Sequence, residues 1–306
     1  MHYSKNYDTA EPVLLSDLLS DRSQELRNGK HTIILRMWDS FNRVLPFGGM
    51  PLEENIVTLV AFSGVGKSYC ALNFYLYPFY HGRHTSPPRT VFFSMDMATR
   101  KLAERYTSMI CGDDYSNSRN ILKNQYNRVE AQFNTYKFDN SLRIINGTKS
   151  MKGIQHGLDQ IGEEFSPQLV IVDHLQCIPG GTTPAGMDEI MQEFMHMRDH
   201  YQCMFLLISQ VSRPEKLEDK RALAEVPPLA SQAKGSNAIE AASDYVIAIA
   251  QNNKDPRLEK MKGRVNLVFR KGRDFSTFGD NEENRLIKLW YNGAGLLEEI
   301  DMHDLR

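Results

Sequence analysis

The apolar run Ile56-Val57-Thr58-Leu59-Val60 leads directly into Ala61-Phe62-Ser63-Gly64-Val65-Gly66-Lys67-Ser68, and no other stretch restricts the fold so strongly. A buried strand that turns through Gly64 and Gly66 into the helix-forming Tyr69-Cys70-Ala71-Leu72-Asn73-Phe74 aims several backbone N–H groups at one point. That point lies beside the positive end of a helix dipole, which together with the donors makes a phosphate site. Ser63, Gly64, Val65, Gly66, Lys67, Ser68 and Tyr69 are therefore the expected nucleotide-binding residues. Lys67 supplies a point charge for the β- and γ-phosphates, and the Ser68 hydroxyl one ligand for Mg²⁺, which takes few protein ligands and keeps several waters. The expected ligands are ATP, or another nucleoside triphosphate, with Mg²⁺. Ala61 stands where the strict pattern has its first glycine, a departure that an unbranched side chain tolerates.

At 306 residues the chain suits one elaborated α/β domain, residues 31–306, preceded by an N-terminal arm over 1–30. In the arm, Leu14, Leu15, Leu18, Leu19 and Leu26 recur near helical spacing and predict a helix over 13–28. Its apolar stripe packs either on its own domain or on a neighbouring subunit. Hydrophobic content of 41% and charged content of 24% are ordinary for a soluble protein, and no apolar run is long enough to span a bilayer. Residues 1–8 lack an apolar core or an arginine-rich, acid-poor bias, so neither a secretory nor an organelle signal is expected and the protein is placed in the cytoplasm, without a membrane partner. The four cysteines, Cys70, Cys111, Cys177 and Cys203, show no CxxC pairing and read as reduced, buried thiols. A net charge of −2 excludes a global basic field. Any nucleic-acid contact must be local, as on loops facing the hole of a ring.

Farther along, strand-like runs at 90–94, 141–146, 168–173 and 203–210 alternate with helical patterns at 98–110, 120–133, 153–164 and 187–201. This alternation predicts a mainly parallel sheet with helices on both faces, in which ligands bind at the carboxyl ends of the strands. A Gly/Thr/Pro-rich loop is expected over 179–186 and a long polar loop over 211–235, and the runs 265–269 and 285–291 predict a β-hairpin near the C-terminus.

Polar residues end several of these apolar strands. Asp173 closes Gln168-Leu169-Val170-Ile171-Val172 and suits a carboxylate serving, through water, the metal held by Ser68. Asp96 follows the next strand and is placed either to orient the attacking water or to cap the following helix. Gln210 can hydrogen-bond a γ-phosphate oxygen.

In order, residues 61–68, Ser94-Met95-Asp96-Met97, Asp173-His174-Leu175-Gln176, Ser209-Gln210-Val211-Ser212-Arg213, Lys234-Gly235-Ser236-Asn237-Ala238-Ile239 with Ser243-Asp244, and Lys271-Gly272-Arg273 resemble the RecA-type motor domain of hexameric replicative DNA helicases. These are the DnaB family and its relatives, which include a phage helicase-primase and the mitochondrial helicase Twinkle. The resemblance implies a RecA-like P-loop ATPase that forms a ring, translocates on single-stranded DNA in a central channel and hydrolyses ATP at subunit interfaces. It implies catalytic roles for Lys67, Asp96, Asp173 and Gln210, and places Lys271 and Arg273 in the neighbouring subunit's site. The arm helix then corresponds to the family's linker helix, which docks on an adjacent subunit. Loops after Gln176 and Gln210 fall where the family grips DNA, with Arg213, Lys216, Lys220, Arg221 and Lys234 as the candidate contacts.

Two departures stand out. Asp96 occupies the place of the family's catalytic glutamate and is one methylene shorter, with Glu104 as an alternative acid. The chain also has no room for the N-terminal domain of bacterial helicases or for a primase, so a separate primase or loader is expected, which suits a phage or plasmid system in a bacterial cytoplasm. The other class considered is a RecA-, RadA- or KaiC-like ATPase serving recombination or assembly.

Overall fold

All six residues of the strand ahead of the phosphate loop are buried, as are all five of Thr90–Ser94 and of Leu169–Asp173. Such runs mark strands covered on both faces in a parallel sheet. The computed structural model describes residues 15–16, 19–20, 23–24, 33–45, 47–81, 87–136, 140–162, 164–211, 228–229, 236–251, 263–272 and 285–300. The chain divides into two compact units, Met1–Ile33 and Ile34–Arg306. In the first, residues 15–16, 19–20 and 23–24 are helical, inside the predicted span.

The second unit carries a short ribbon of β1 (Ile34–Leu35) and β2 (Met50–Pro51), and a main sheet. The main-sheet strands are β3 (Ile56–Ala61), β4 (Thr90–Ser94), β5 (Leu142–Asn146), β6 (Leu169–Asp173), β7 (Met204–Gln210), β8 (Tyr245–Gln251), β9 (Arg264–Gly272), β10 (Leu286–Tyr291) and β11 (Leu297–Glu299). Their order is β11-β10-β9-β8-β3-β7-β6-β4-β5. Strands β8 to β5 of that order are parallel, whereas β9, β10 and β11 add an antiparallel edge. The predicted hairpin is β9 with β10.

The helices are α1 (Asp39–Val44), α2 (Lys67–Tyr80), α3 (Thr99–Cys111), α4 (Ser118–Asn124), α5 (Tyr126–Tyr136), α6 (Met151–Ile161), α7 (Pro184–Tyr201) and α8 (Ser236–Ala242). From β3 through β4 to β5 the chain steps toward one sheet edge, and from β5 through β6 and β7 to β8 it steps back. Right-handed crossovers then put α2 to α5 on one face and α6 to α8 on the other, and α7 accordingly packs against both α6 and α8. Neighbouring strands β3 and β7 send their crossovers to opposite faces. Their carboxyl ends open the crevice where such folds bind ligands, and there Ala61 lies opposite Gln210 while, two strands along, Ser94 lies opposite Asp173.

Buried polar contacts hold the strand and helix that flank the loop. Asn73, fully buried on α2, donates to the carbonyls of Tyr69 (2.7 Å) and Gly295 (3.1 Å) and accepts from the Leu297 N–H (2.8 Å). Ser243 Oγ lies 2.7 Å from Thr58 Oγ1, and Asp244 accepts from the Ile56 N–H at 2.8 Å. Both residues of the Ser243-Asp244 motif thus brace β3.

The structure departs from the sequence reading in three places. The helix expected over 120–133 is two helices, because Gln125 leaves helical geometry (φ −134, ψ 34) and Arg128 reaches back to Asp113 (3.0 Å) and the Cys111 carbonyl (2.7 Å). The end of the loop expected over 179–186 is already helical: Thr183 caps the Gly186 N–H at 3.2 Å and Pro184 takes the first turn, where its missing N–H costs nothing. Strands β8 and β11 and helix α8 were not anticipated; β8 reads as a buried apolar run in hindsight.

Candidate functional site

A cleft of about 300 Å³ opens at the carboxyl ends of β3, β4, β6 and β7. From the loop it receives Ser63, Gly64, Gly66, Lys67, Ser68 and Tyr69; from the strand ends it receives Asp96, Met97, Asp173, His174 and Gln210, and from α3 it receives Arg105. Gly64 and Gly66 hold φ of 87° and 95°, a region closed to most L-residues. The Gly66 carbonyl starts α2 by accepting the Cys70 N–H at 2.9 Å. Lys67 Nζ donates to the Phe62 carbonyl at 3.1 Å, bracing the loop from inside.

Asp173 is 6% exposed and accepts a hydrogen bond from the Ser68 hydroxyl. Burial pushes its carboxyl above the ordinary range, against the Ser68 bond and the nearby positive charges of His174, Lys67 and Arg105. His174 Nδ1 lies 3.9 Å from Asp173 Oδ1, and burial pushes the imidazole below its ordinary value despite that neighbour. A hydroxyl beside a dry carboxylate offers hard oxygen donors of the kind Mg²⁺ takes. Among the described residues no group of three or more His, Cys, Asp or Glu could cage a metal, which matches an ion held by few protein ligands and by substrate.

Asp96 is exposed and faces the cleft. It does not cap the next helix, whose N-cap position is Ala98. Glu104 points elsewhere: Arg119 donates to it at 2.8 Å and Tyr115 at 3.1 Å, and the Arg119 bond holds its carboxyl below the ordinary range. Gln210 enters the cleft from β7, and its N–H donates at 2.9 Å to Gln176, whose amide donates in turn to Ser209.

Of the other sequence-derived candidates, Val65 lines an adjoining cavity of about 340 Å³ and not the cleft itself. That cavity lies between the loop and the hairpin and shares Gly64, Gly66 and Tyr69 with the cleft. Lys271 lies on β9, where its ammonium donates to the Glu240 carbonyl and, at 3.4 Å, to that of Ala241, at the end of α8. Arg273, Arg213, Lys216, Lys220, Arg221 and Lys234 lie outside the described residues. Arg105 and Tyr291 were missed by sequence reading, because only the docking of α3 and β10 brings them to the loop.

The fold resembles solved structures at low identity. An isolated ATPase domain aligns over 95% of this chain and 100% of its own length, with 15% identity and a TM-score of 0.70. A DnaB-like replicative helicase, described with its interactions with primase, aligns over 95% of this chain and 68% of its own at 15% identity, TM-score 0.67. A KaiC-like protein from the archaeon Pyrococcus horikoshii OT3 aligns over 88% of this chain and 99% of its own at 13% identity, TM-score 0.57. No curated protein matches the chain in sequence. The model of the DnaB-like helicase C-terminal domain matches residues 47–279, from just before β2 to beyond β9 and across every strand that lines the cleft, and the chain belongs to that family.

Proposed function

We propose that this chain is the ATP-driven motor of a ring-forming replicative DNA helicase, translocating on single-stranded DNA by hydrolysis at subunit interfaces. The observation that carries the reading is the convergence of Lys67, the Ser68–Asp173 pair, Asp96 and Gln210 on one cleft at the sheet's switch point. Phosphoryl transfer to water needs positioned phosphates, a charge-neutralising metal, an oriented water and a γ-phosphate contact, and little covalent chemistry from the protein.

In this reading the backbone N–H groups of residues 63–68 cradle the phosphates, with Lys67 at the β- and γ-oxygens. Mg²⁺ held by Ser68, with Asp173 behind it, neutralises charge as the γ-phosphoryl leaves. Asp96 accepts a proton from the attacking water. The base and sugar occupy the cavity between Tyr69 and Tyr291. Gln210 contacts the γ-phosphate, and through Gln176 it is tied to the turn after β6, so loss of the phosphate reaches the loops proposed to grip DNA, with Arg213, Lys216, Lys220, Arg221 and Lys234. Arg273 and Lys271 complete the site of the adjacent subunit, and the arm helix docks there to close a hexameric ring. A separate primase or loader is the expected partner.

Steady-state ATP hydrolysis with and without single-stranded DNA tests this, beside Lys67→Ala, Asp96→Ala and Arg273→Ala. DNA-stimulated turnover lost in all three, and partly restored on mixing Lys67→Ala with Arg273→Ala subunits, supports shared interfacial sites. Tight nucleotide binding with negligible turnover in the presence of DNA sinks the motor reading.

A further inference from the structure

Arg105 sits two turns into α3 and lines the phosphate cleft, yet no motif of the loop, strand ends or hairpin includes it. Its guanidinium carbon lies 4.6 Å from the centroid of the Tyr69 ring, within cation–π range, and Tyr69 in turn packs on Tyr291 with centroids 5.8 Å apart. Among the described residues no hydrogen bond or ion pair engages the guanidinium. A half-buried arginine held over an aromatic face, with its fork of donors unused by the protein, is prepared for an anion.

Position selects which part of the ligand it meets. Tyr69 directly follows Ser68 and lines both the phosphate cleft and the adjoining cavity, so its ring marks where a bound nucleotide passes from phosphates to sugar. Arg105 lines the cleft alone, on the phosphate side of that boundary. Lys67 and Gln210 already serve the far, γ-phosphate end in the reading above.

We propose that Arg105 is a nucleotide-binding residue acting within its own chain, its guanidinium held over Tyr69 and donating to the α-phosphate. The inference rests on the nucleotide reading of the cleft. Because the α-phosphate is present before and after hydrolysis, Arg105 retains nucleotide through turnover and does not respond to the γ-phosphate.

Calorimetric binding of Mg·ADP and of a non-hydrolysable Mg·ATP analogue to the full chain tests the assignment. Arg105→Ala is expected to weaken both ligands about tenfold and equally, Arg105→Lys to recover only part of the loss, and Tyr69→Phe, which keeps the ring, to bind like the parent. Hydrolysis by Arg105→Ala should show a raised KM with kcat little changed, which a folding defect would not produce. Binding of both ligands within about twofold of the parent overturns the proposal, and a loss confined to the ATP analogue overturns the α-phosphate assignment. Lys67→Ala separates the layers: if it too leaves binding intact, the nucleotide reading of the cleft fails along with the inference that rests on it.

Discussion

The Tyr291 hydroxyl donates to the Gly66 carbonyl at 2.8 Å, joining the C-terminal hairpin to the phosphate loop across 225 positions of sequence. A Cβ added at Gly66 would lie 2.7 Å from that hydroxyl, and Gly66 already holds a positive φ. Tyr291→Phe loses one buried hydrogen bond, worth about 1 kcal/mol, and should lower the urea midpoint slightly while weakening nucleotide binding a few-fold. Gly66→Ala combines left-handed backbone strain of about 1–2 kcal/mol with displacement of Tyr291, so binding should be lost outright. Equal effects of the two changes in denaturation and binding assays would contradict this ordering.

Asp173 is placed for function at the expense of stability. Its folded-state pKa lies above the ordinary value, so the native state holds its proton more tightly than the unfolded chain, and stability falls as pH rises through that window. At neutral pH the buried charge is a liability. Asp173→Asn should therefore leave the nucleotide-free protein as stable or more stable, by about 1 kcal/mol, while cutting hydrolysis by roughly a hundredfold or more. Thermal denaturation in parallel with turnover separates the two effects; a marked drop in the unfolding midpoint would show that Asp173 is a net structural asset.

The strand ends were legible because their chemistry is local: an apolar run that stops at a carboxylate or an amide announces a sheet with polar groups at its carboxyl edge, and Asp173 and Gln210 stand there. Asp96 was legible only as a choice between two roles, since nothing local separates a cap from a cleft acid; the start of α3 at Thr99 settles the cap. Arg105 is one of three basic residues in the first two turns of α3, with Arg100 and Lys101. Sequence spacing cannot say which of them faces the loop, because that depends on how the helix docks. The break at Gln125 was hidden for a related reason: it is bound up with Arg128 reaching a residue 15 positions away.

His174 works in the opposite sense to Asp173 as acidity changes. Burial depresses its pKa below the ordinary 6.5, with the nearby Lys67 charge adding to that and Asp173 opposing it. The unfolded chain thus binds the proton more readily, and His174 contributes stability that is present above 6.5 and lost as pH falls through the folded-state value. His174→Asn removes this sensitivity. The unfolding midpoint of the variant relative to the parent should improve steadily between about pH 7.5 and about pH 5.5. A difference that stays flat over that range would mean that His174 titrates alike in both states.

Asp244 belongs to the family motif, yet its place in the structure is that of a brace. Its side chain is 3% exposed, its Oδ2 accepts the Ile56 N–H at 2.8 Å, and Arg198 Nη1 lies 3.7 Å away. Asp244→Ala strips the partner from a buried N–H and leaves Arg198, itself 15% exposed, without this contact; breaking such a pair costs about 3 kcal/mol. Asp244→Asn keeps an acceptor for Ile56 and should lose less. Since Ile56 opens the strand that carries the loop, partial unfolding will lower bulk activity, but kcat and KM per folded molecule should match the parent at temperatures well below the midpoint. A fall in kcat without a change in stability would move Asp244 from the scaffold into the chemistry.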